Sequence, residues 1–232
     1  MAREGIPSAV LLDALGTLVE LETPWPHLAD ELAARGVVVG EQAAREAMLA
    51  EMAYYRAHHD EASTWPTLKD LRRRCAAVVQ GHLGTALPLE GVEDALLAAV
   101  RFRAYPEVPA VLGRLRAAGA RLAVVSNWDV SLHDVLERTH LRELVDAVVI
   151  SAELGAAKPD PAIFRAALER LGATAAEAMH VGDSVEHDVA GARAAGLEAV
   201  LVARNGADVP DGVRVVASLD ELLLTYDLPA AS

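Results

Sequence analysis

Hydrophobic residues along the chain gather into short unbroken runs that alternate with longer stretches of helical period. The first run, Ser8-Ala9-Val10-Leu11-Leu12-Asp13, is closed by a carboxylate and followed by Gly16. That is the pattern of a parallel strand buried on both faces and ending in a loop. Four further runs share it, at residues 121–126, 145–150, 178–183 and 198–203. Between them, residues 106–118, 160–171 and 185–195 have helical spacing, and each is followed by a glycine, a common stop signal. Strand and helix in alternation predict an α/β fold with a doubly wound, Rossmann-like parallel sheet.

One stretch breaks the alternation. Residues 25–103 carry no strand pattern, only Ala-, Leu-, Glu- and Arg-rich segments broken by Gly36, Gly40, the Trp65-Pro66 pair, Gly81 and Gly84. They predict an inserted α-helical bundle of about four helices. The chain then divides into a sheet domain over 1–20 and 105–232 and a helical domain over 21–104, with proline-bearing connections at 22–26 and 105–109.

Composition narrows the class. With 232 residues, 53% of them hydrophobic and 24% charged, the chain can bury a sizeable core. A formal net charge of −13 repels a phosphate backbone, so nucleic acid is excluded as an expected partner. The single cysteine, Cys75, forms neither an internal disulfide nor a thiolate zinc cage and suits a reducing compartment. No apolar run approaches the ~18–20 residues that span a bilayer. A soluble cytoplasmic protein, monomer or homodimer, with no membrane partner is expected.

Open parallel sheets bind ligands beyond the carboxyl ends of their strands, and the sequence places polar residues at those ends. Asp13 closes the first strand and Ser126 and Asn127 close the second. Lys158 follows the third in the loop Ala156-Ala157-Lys158-Pro159-Asp160-Pro161, and Asp183 closes the fourth, with Asp188 five residues on. Adjacent strands lie ~4.8 Å apart, so if the strands of Asp13 and Asp183 are neighbours their carboxylates can share one cation. Oxygen ligands of this kind suit Mg²⁺, and with Lys158 it would neutralise the cluster and admit a small anionic substrate.

Four strings, Asp13-Ala14-Leu15-Gly16-Thr17-Leu18, Val125-Ser126-Asn127, Lys158-Pro159-Asp160-Pro161 and Val181-Gly182-Asp183-Ser184-Val185-Glu186-His187-Asp188, resemble in order the four motifs of the haloacid dehalogenase superfamily. The resemblance covers residues 6–20 and 105–228, and the helical insertion is similar to that superfamily's cap. It implies Asp13 as a nucleophile forming a covalent aspartyl intermediate, with Lys158 orienting it and offsetting charge. It implies that Ser126 holds a transferring phosphoryl oxygen while Asn127 shapes the loop beside it, and that Thr17 supports the first loop through its hydroxyl. Mg²⁺ would be held by Asp13, Asp183, Asp188 and the backbone carbonyl of Leu15.

The chain departs from the superfamily's phosphatases at Leu15, where they carry a second aspartate as general acid and base, a loss worth ~10²–10⁴ in rate. A Mg²⁺-dependent phosphate-ester hydrolase is favoured, its proton drawn from water, from substrate, or from Glu20, Glu22 or His27. Lys69 is the insertion's single lysine, and a Schiff-base role for it is set against that of a solvated side chain. A metal-independent 2-haloacid dehalogenase is the first alternative. It fits Leu15 but leaves Asp183 as an unneeded buried charge, with Arg35 or Arg45 to receive a substrate carboxylate. A weakened metal- and anion-binding regulatory module is the second. His180 reads as a packed core residue, His187 as a loop residue.

Overall fold

The computed structural model describes residues 5–204, 206, 212–224 and 226. Along the chain come strand β1 (Ala9–Leu12), β2 (Val19–Leu21), helices α1 (Pro24–Ala33), α2 (Glu41–His58), α3 (Trp65–Leu83) and α4 (Leu89–Ala99), then β3 (Phe102–Ala104). There follow α5 (Val108–Ala117), β4 (Arg121–Ser126), α6 (Leu132–Arg138), β5 (Ala147–Ile150), α7 (Ser151–Leu154), α8 (Pro161–Leu171) and β6 (Ala178–Gly182). A π-helical turn (Val185–Ala190), α9 (Gly191–Ala194), β7 (Glu198–Val202), β8 (Arg214–Val216) and α10 (Leu219–Leu224) complete the described elements.

The chain forms two compact units. One comprises Met1–Glu20, Ala104–Asn127 and Leu132–Ser232; the other comprises Leu21–Arg103 and Trp128–Ser131. The first contains a six-stranded sheet in the order β5-β4-β1-β6-β7-β8, every pair parallel. Its central strands are mostly apolar, with Arg121 and Ser126 at the ends of β4 and His180 inside β6 as the exceptions, and are buried on both faces, the expected form for strands covered by helices on each side. Leu11, Val125, Val149 and Leu201 pack on one face with Ile163, Phe164 and Ala167 of α8. β1 lies between β4 and β6, with Leu12 level with Val124 and with Val181. Asp13, one residue beyond, continues the ladder through its N–H to the Val181 carbonyl (2.9 Å). Ser126 and Asp183 therefore flank Asp13 from its two neighbouring strands.

The second unit is a bundle of α1 to α4, with α1 and α3 each packed on α2 and α4. Leu28, Leu32, Met48, Leu68, Leu71, Val79, Val92 and Leu96 form its buried core. Thr64 and Thr67 close a reciprocal capping box on α3, and Gly84 ends that helix in the left-handed region (φ 57°). The segment 128–131, which directly follows Asn127, belongs to this unit. Val130 sits in its apolar core and donates its N–H to the Ala62 carbonyl (3.0 Å), while buried Asp129 accepts the Tyr55 hydroxyl (2.7 Å). No helix among the described residues is long and apolar enough to cross a membrane.

Three strands escape the sequence pattern: β2, β3 and β8, each of three residues, too short to show a period of two. β3 begins inside the stretch read as strandless. The helix predicted over 185–195 is instead a π-helical turn followed by one short α-helix. Its first turn widens because the N–H groups of Asp188 and Val189 both reach the Ser184 carbonyl (3.0 and 3.1 Å).

Candidate active site

The loop after β1 turns back at once. Leu18 and Val19 donate to the Ala14 carbonyl (2.8 and 2.9 Å), and Gly16 donates to the Val19 carbonyl (2.8 Å). Gly16 adopts φ 85°, and a Cβ there would overlap the Asp183 carboxylate, so glycine is required for both conformation and space. Gly182 serves the same end on the other side, because a Cβ there would strike the Asp188 carboxylate. The π-helical turn returns Asp188 toward the strand end, where it is 1% exposed. Its Oδ2 accepts the Ser184 N–H at 2.9 Å.

Lys158 ties these carboxylates together. Its buried Nζ donates to Asp13 Oδ1 at 2.5 Å and to Asp188 Oδ1 at 2.6 Å. Asn127 fixes the lysine's backbone by two bonds, donating to the Lys158 carbonyl (2.9 Å) and accepting the Lys158 N–H (2.7 Å). Ser126 Oγ donates to Asp13 Oδ1 at 3.2 Å. The two oxygens of Asp13 are thereby unlike: Oδ1 receives Lys158 and Ser126, and among the described residues nothing donates to Oδ2. Asp13, Asp183 and Asp188 each offer a carboxylate oxygen, and these lie within 4.8 Å of one another.

Residues 7–196 match the family model of the haloacid dehalogenase-like hydrolases. The chain belongs to this family. A mouse (Mus musculus) haloacid dehalogenase-like hydrolase domain-containing protein 3 is 33% identical over 242 residues, covering 95% of this chain and 94% of that one. A glyceraldehyde 3-phosphate phosphatase of Methanopyrus kandleri is 34% identical over 218 residues, 88% of this chain and 91% of its own. Among solved structures, a haloacid dehalogenase-superfamily (HAD) phosphatase of Thermococcus onnurineus aligns with a TM-score of 0.64 at 28% identity, over 94% of this chain and 96% of that one. Solved haloacid dehalogenases share the fold as well.

Within this family frame, the electrostatics of the strand ends are those of a crowded anionic cluster. Burial pushes the Asp13 carboxyl up to about 6, with the Asp188 charge adding to the rise and Lys158 opposing it. Burial also works against ionised Asp188, but the Lys158 charge and the His180 hydrogen bond outweigh it and hold that carboxyl well below the ordinary range. Lys158 is raised, because its two carboxylates outweigh the desolvation that alone would lower it. Asp183 is raised by the partial desolvation of its carboxyl among its neighbours, although the residue as a whole is exposed, and by the Asp188 charge. Three carboxylates face one ammonium, and every candidate donor is oxygen. That donor set fits a hard divalent cation such as Mg²⁺ and not a soft or thiolate-seeking metal.

The structure brings Asp13, Ser126, Asn127, Lys158, Asp183 and Asp188 to one end of the sheet. Asp183 differs from its expected setting, being exposed at the strand end and not buried. Thr17 is fully buried and its hydroxyl has no hydrogen-bond partner among the described residues, so the loop's restraint there comes from other bonds. Leu15 leaves 44% of its surface exposed beside Asp13. In the helical unit, Arg35 pairs with Glu31 (2.8 Å), Arg45 lies over the Trp25 ring and Lys69 is exposed.

The sequence reading undervalued two residues. His180 is fully buried, as a packed histidine would be, yet its Nε2 lies 2.7 Å from Asp188 Oδ1 while Phe164 meets the ring edge-on. Its signal was a polar side chain inside an otherwise apolar strand, which must find a partner. Arg204, just past β7, reaches the Asp13 loop and had no local signal.

Two outcomes follow from this geometry. Because the folded Asp13 carboxyl sits at about 6 against an ordinary value of 3.8, its ionisation weakens the metal-free fold above pH 6, and the penalty disappears toward pH 4. In chelator, Asp13→Asn is expected to melt above the parent at pH 7.5 and to lose most of that advantage by about pH 4; the same difference in melting temperature at both pH values would contradict the assignment. Gly16→Ala is expected to displace Asp183 and weaken Mg²⁺ binding by about 10–100-fold in calorimetry.

Proposed function

We propose that this chain is a Mg²⁺-dependent hydrolase of small phosphate esters that works through an aspartyl-phosphate on Asp13. The observation that carries this reading is the convergence of Asp13, Asp183 and Asp188 within 4.8 Å, next to a lysine that neutralises one of the three charges. A halide displacement needs a single carboxylate nucleophile and gains nothing from Asp183. The phosphatase relatives of similar length support the same choice.

Asp13, Asp183, Asp188 and the Leu15 carbonyl would hold the cation. When bound, it supplies charge compensation for the transferring phosphoryl group. The chain's own groups do the rest. Lys158 and Ser126 anchor Oδ1 of Asp13 and leave Oδ2 as the attacking oxygen. A new Oδ2–phosphorus bond forms as the bond to the leaving oxygen breaks and carries its electron pair away. Water then attacks phosphorus, releasing inorganic phosphate and restoring the Asp13 carboxylate. Lys158, held fully protonated by its two carboxylates, stabilises charge and does not give up its proton. Asn127 positions Lys158 by the two backbone bonds already described, and the helical unit serves as a cap. The single buried thiol of Cys75 accords with a cytoplasmic setting.

Leu15 provides no proton to a leaving group, so esters with acidic leaving groups are expected to turn over fastest. An aryl phosphate should be hydrolysed only with Mg²⁺, and Asp13→Asn should abolish the reaction. Leu15→Asp should raise alkyl phosphate turnover by ~10²-fold. Chloride release from 2-chloropropionate that is indifferent to chelator would overturn the reading in favour of a dehalogenase. Mg²⁺ binding with no turnover of either substrate would leave a binding module.

A further inference from the structure

Arg204 lies just beyond β7, where Ala203 still pairs with Val216 through its N–H (2.8 Å). Its guanidinium is used on every side. Nε donates to the Gly16 carbonyl at 3.0 Å and Nη2 to the Thr17 carbonyl at 2.8 Å. Nη1 lies 2.8 Å from Glu107 Oε1, an ion pair whose side chains are 14% and 12% exposed. Its plane covers the Tyr105 ring, with Cζ 3.4 Å from the ring centroid.

These partners come from two separate stretches of chain. Gly16 and Thr17 belong to the segment that leaves Asp13 for the helical unit, and Tyr105 and Glu107 to the segment that returns from it. The Tyr105 N–H adds a direct bond between the two, to the Leu18 carbonyl at 3.1 Å. The outgoing segment needs an external restraint. Gly16 is the most permissive residue type in the loop, and the Thr17 hydroxyl makes no hydrogen bond to the described residues. A planar fork of five donors can hold two carbonyls and a carboxylate while stacking on a ring; an ammonium cannot.

We propose that Arg204 is a positioning residue, which fixes the Gly16–Thr17 backbone and thereby the setting of Asp13 and Leu15, and which locks that backbone to the returning segment. Its effect on turnover rests on the reading of Asp13 as nucleophile; its effect on the loop does not. The test therefore combines amide exchange with kinetics on the full chain. In Arg204→Lys, which keeps the charge, the amides of Gly16, Leu18 and Val19 should exchange at least about tenfold faster, while those of β1 and β6 stay as they were. With an aryl phosphate, kcat should fall about 10²-fold and KM should change little. Glu107→Gln, which loosens one arm only, should lie between the parent and Arg204→Lys on both measures and serves if the lysine variant folds poorly. Unchanged loop exchange would overturn the proposal. So would faster exchange spread evenly over the sheet, since that marks a general loss of stability. Faster loop exchange with an undiminished kcat would overturn the catalytic part. If neither parent nor variants hydrolyse phosphate esters, the reading of Asp13 fails, while the exchange data still decide the clamp.

Discussion

A buried ammonium shared by two buried carboxylates constrains the carboxyl end of the sheet. Lys158 Nζ reaches Asp13 on one side and Asp188 on the other, and all three residues are nearly inaccessible. Removing the lysine from such a set leaves two buried carboxylates uncompensated, a loss of about 3–5 kcal/mol. The surrounding structure is shaped by this requirement. Asn127 grips the lysine's backbone, the π-helical turn brings Asp188 back toward the strand end, and Gly182 makes room for it. His180 and the Ser184 N–H satisfy the rest of Asp188, one on each oxygen. The aspartate is thus held as an anion by three protein groups, two of them outside the motif that contains it.

The same constraint explains what could be read from the sequence. Strand ends are legible because a buried parallel strand must be continuously apolar, so the first polar residue after each run marks where the sheet reaches solvent; Asp13, Ser126 and Asp183 were found in this way. The four-motif resemblance then put Lys158 and Asp188 with them. Residues acting from a distance along the chain left no such mark. Arg204 touches Gly16 and Thr17 across more than 180 positions, and nothing in its neighbours announces that contact. His180 was visible as a polar residue in an apolar run, but only the fold shows that it faces Asp188. β2, β3 and β8 were missed because three residues carry no period, and the turn at Val185–Ala190 because its sequence has the spacing of an ordinary helix.

Asp13 illustrates how one carboxylate is given two different oxygens. Lys158 and Ser126 occupy Oδ1, so rotation of the group is opposed by two bonds, while Oδ2 receives no bond from the described residues. Burial raises this carboxyl and the lysine lowers it, a balance that leaves an anion less stabilised than a surface aspartate. Leu15, two residues along the chain, leaves 44% of its apolar surface exposed. A strand end of this kind pairs a carboxylate oxygen left free of hydrogen bonds from the described residues with a nearby group that neither gives nor takes a proton.

Trp128–Ser131 belongs to the helical unit, although it follows Asn127 within a loop of the sheet unit. Val130 fills part of the bundle's core, and Asp129 answers the hydroxyl of half-buried Tyr55. The exchangeable module is therefore discontinuous. A chimera that replaced residues 21–103 alone would leave Val130 facing a foreign core and Asp129 without its phenol, so a transplanted bundle must bring its own four-residue patch from the sheet unit. Substitutions in that patch are tied to partners in α2 and not to the strand that precedes them, and the two stretches should drift together as relatives diverge.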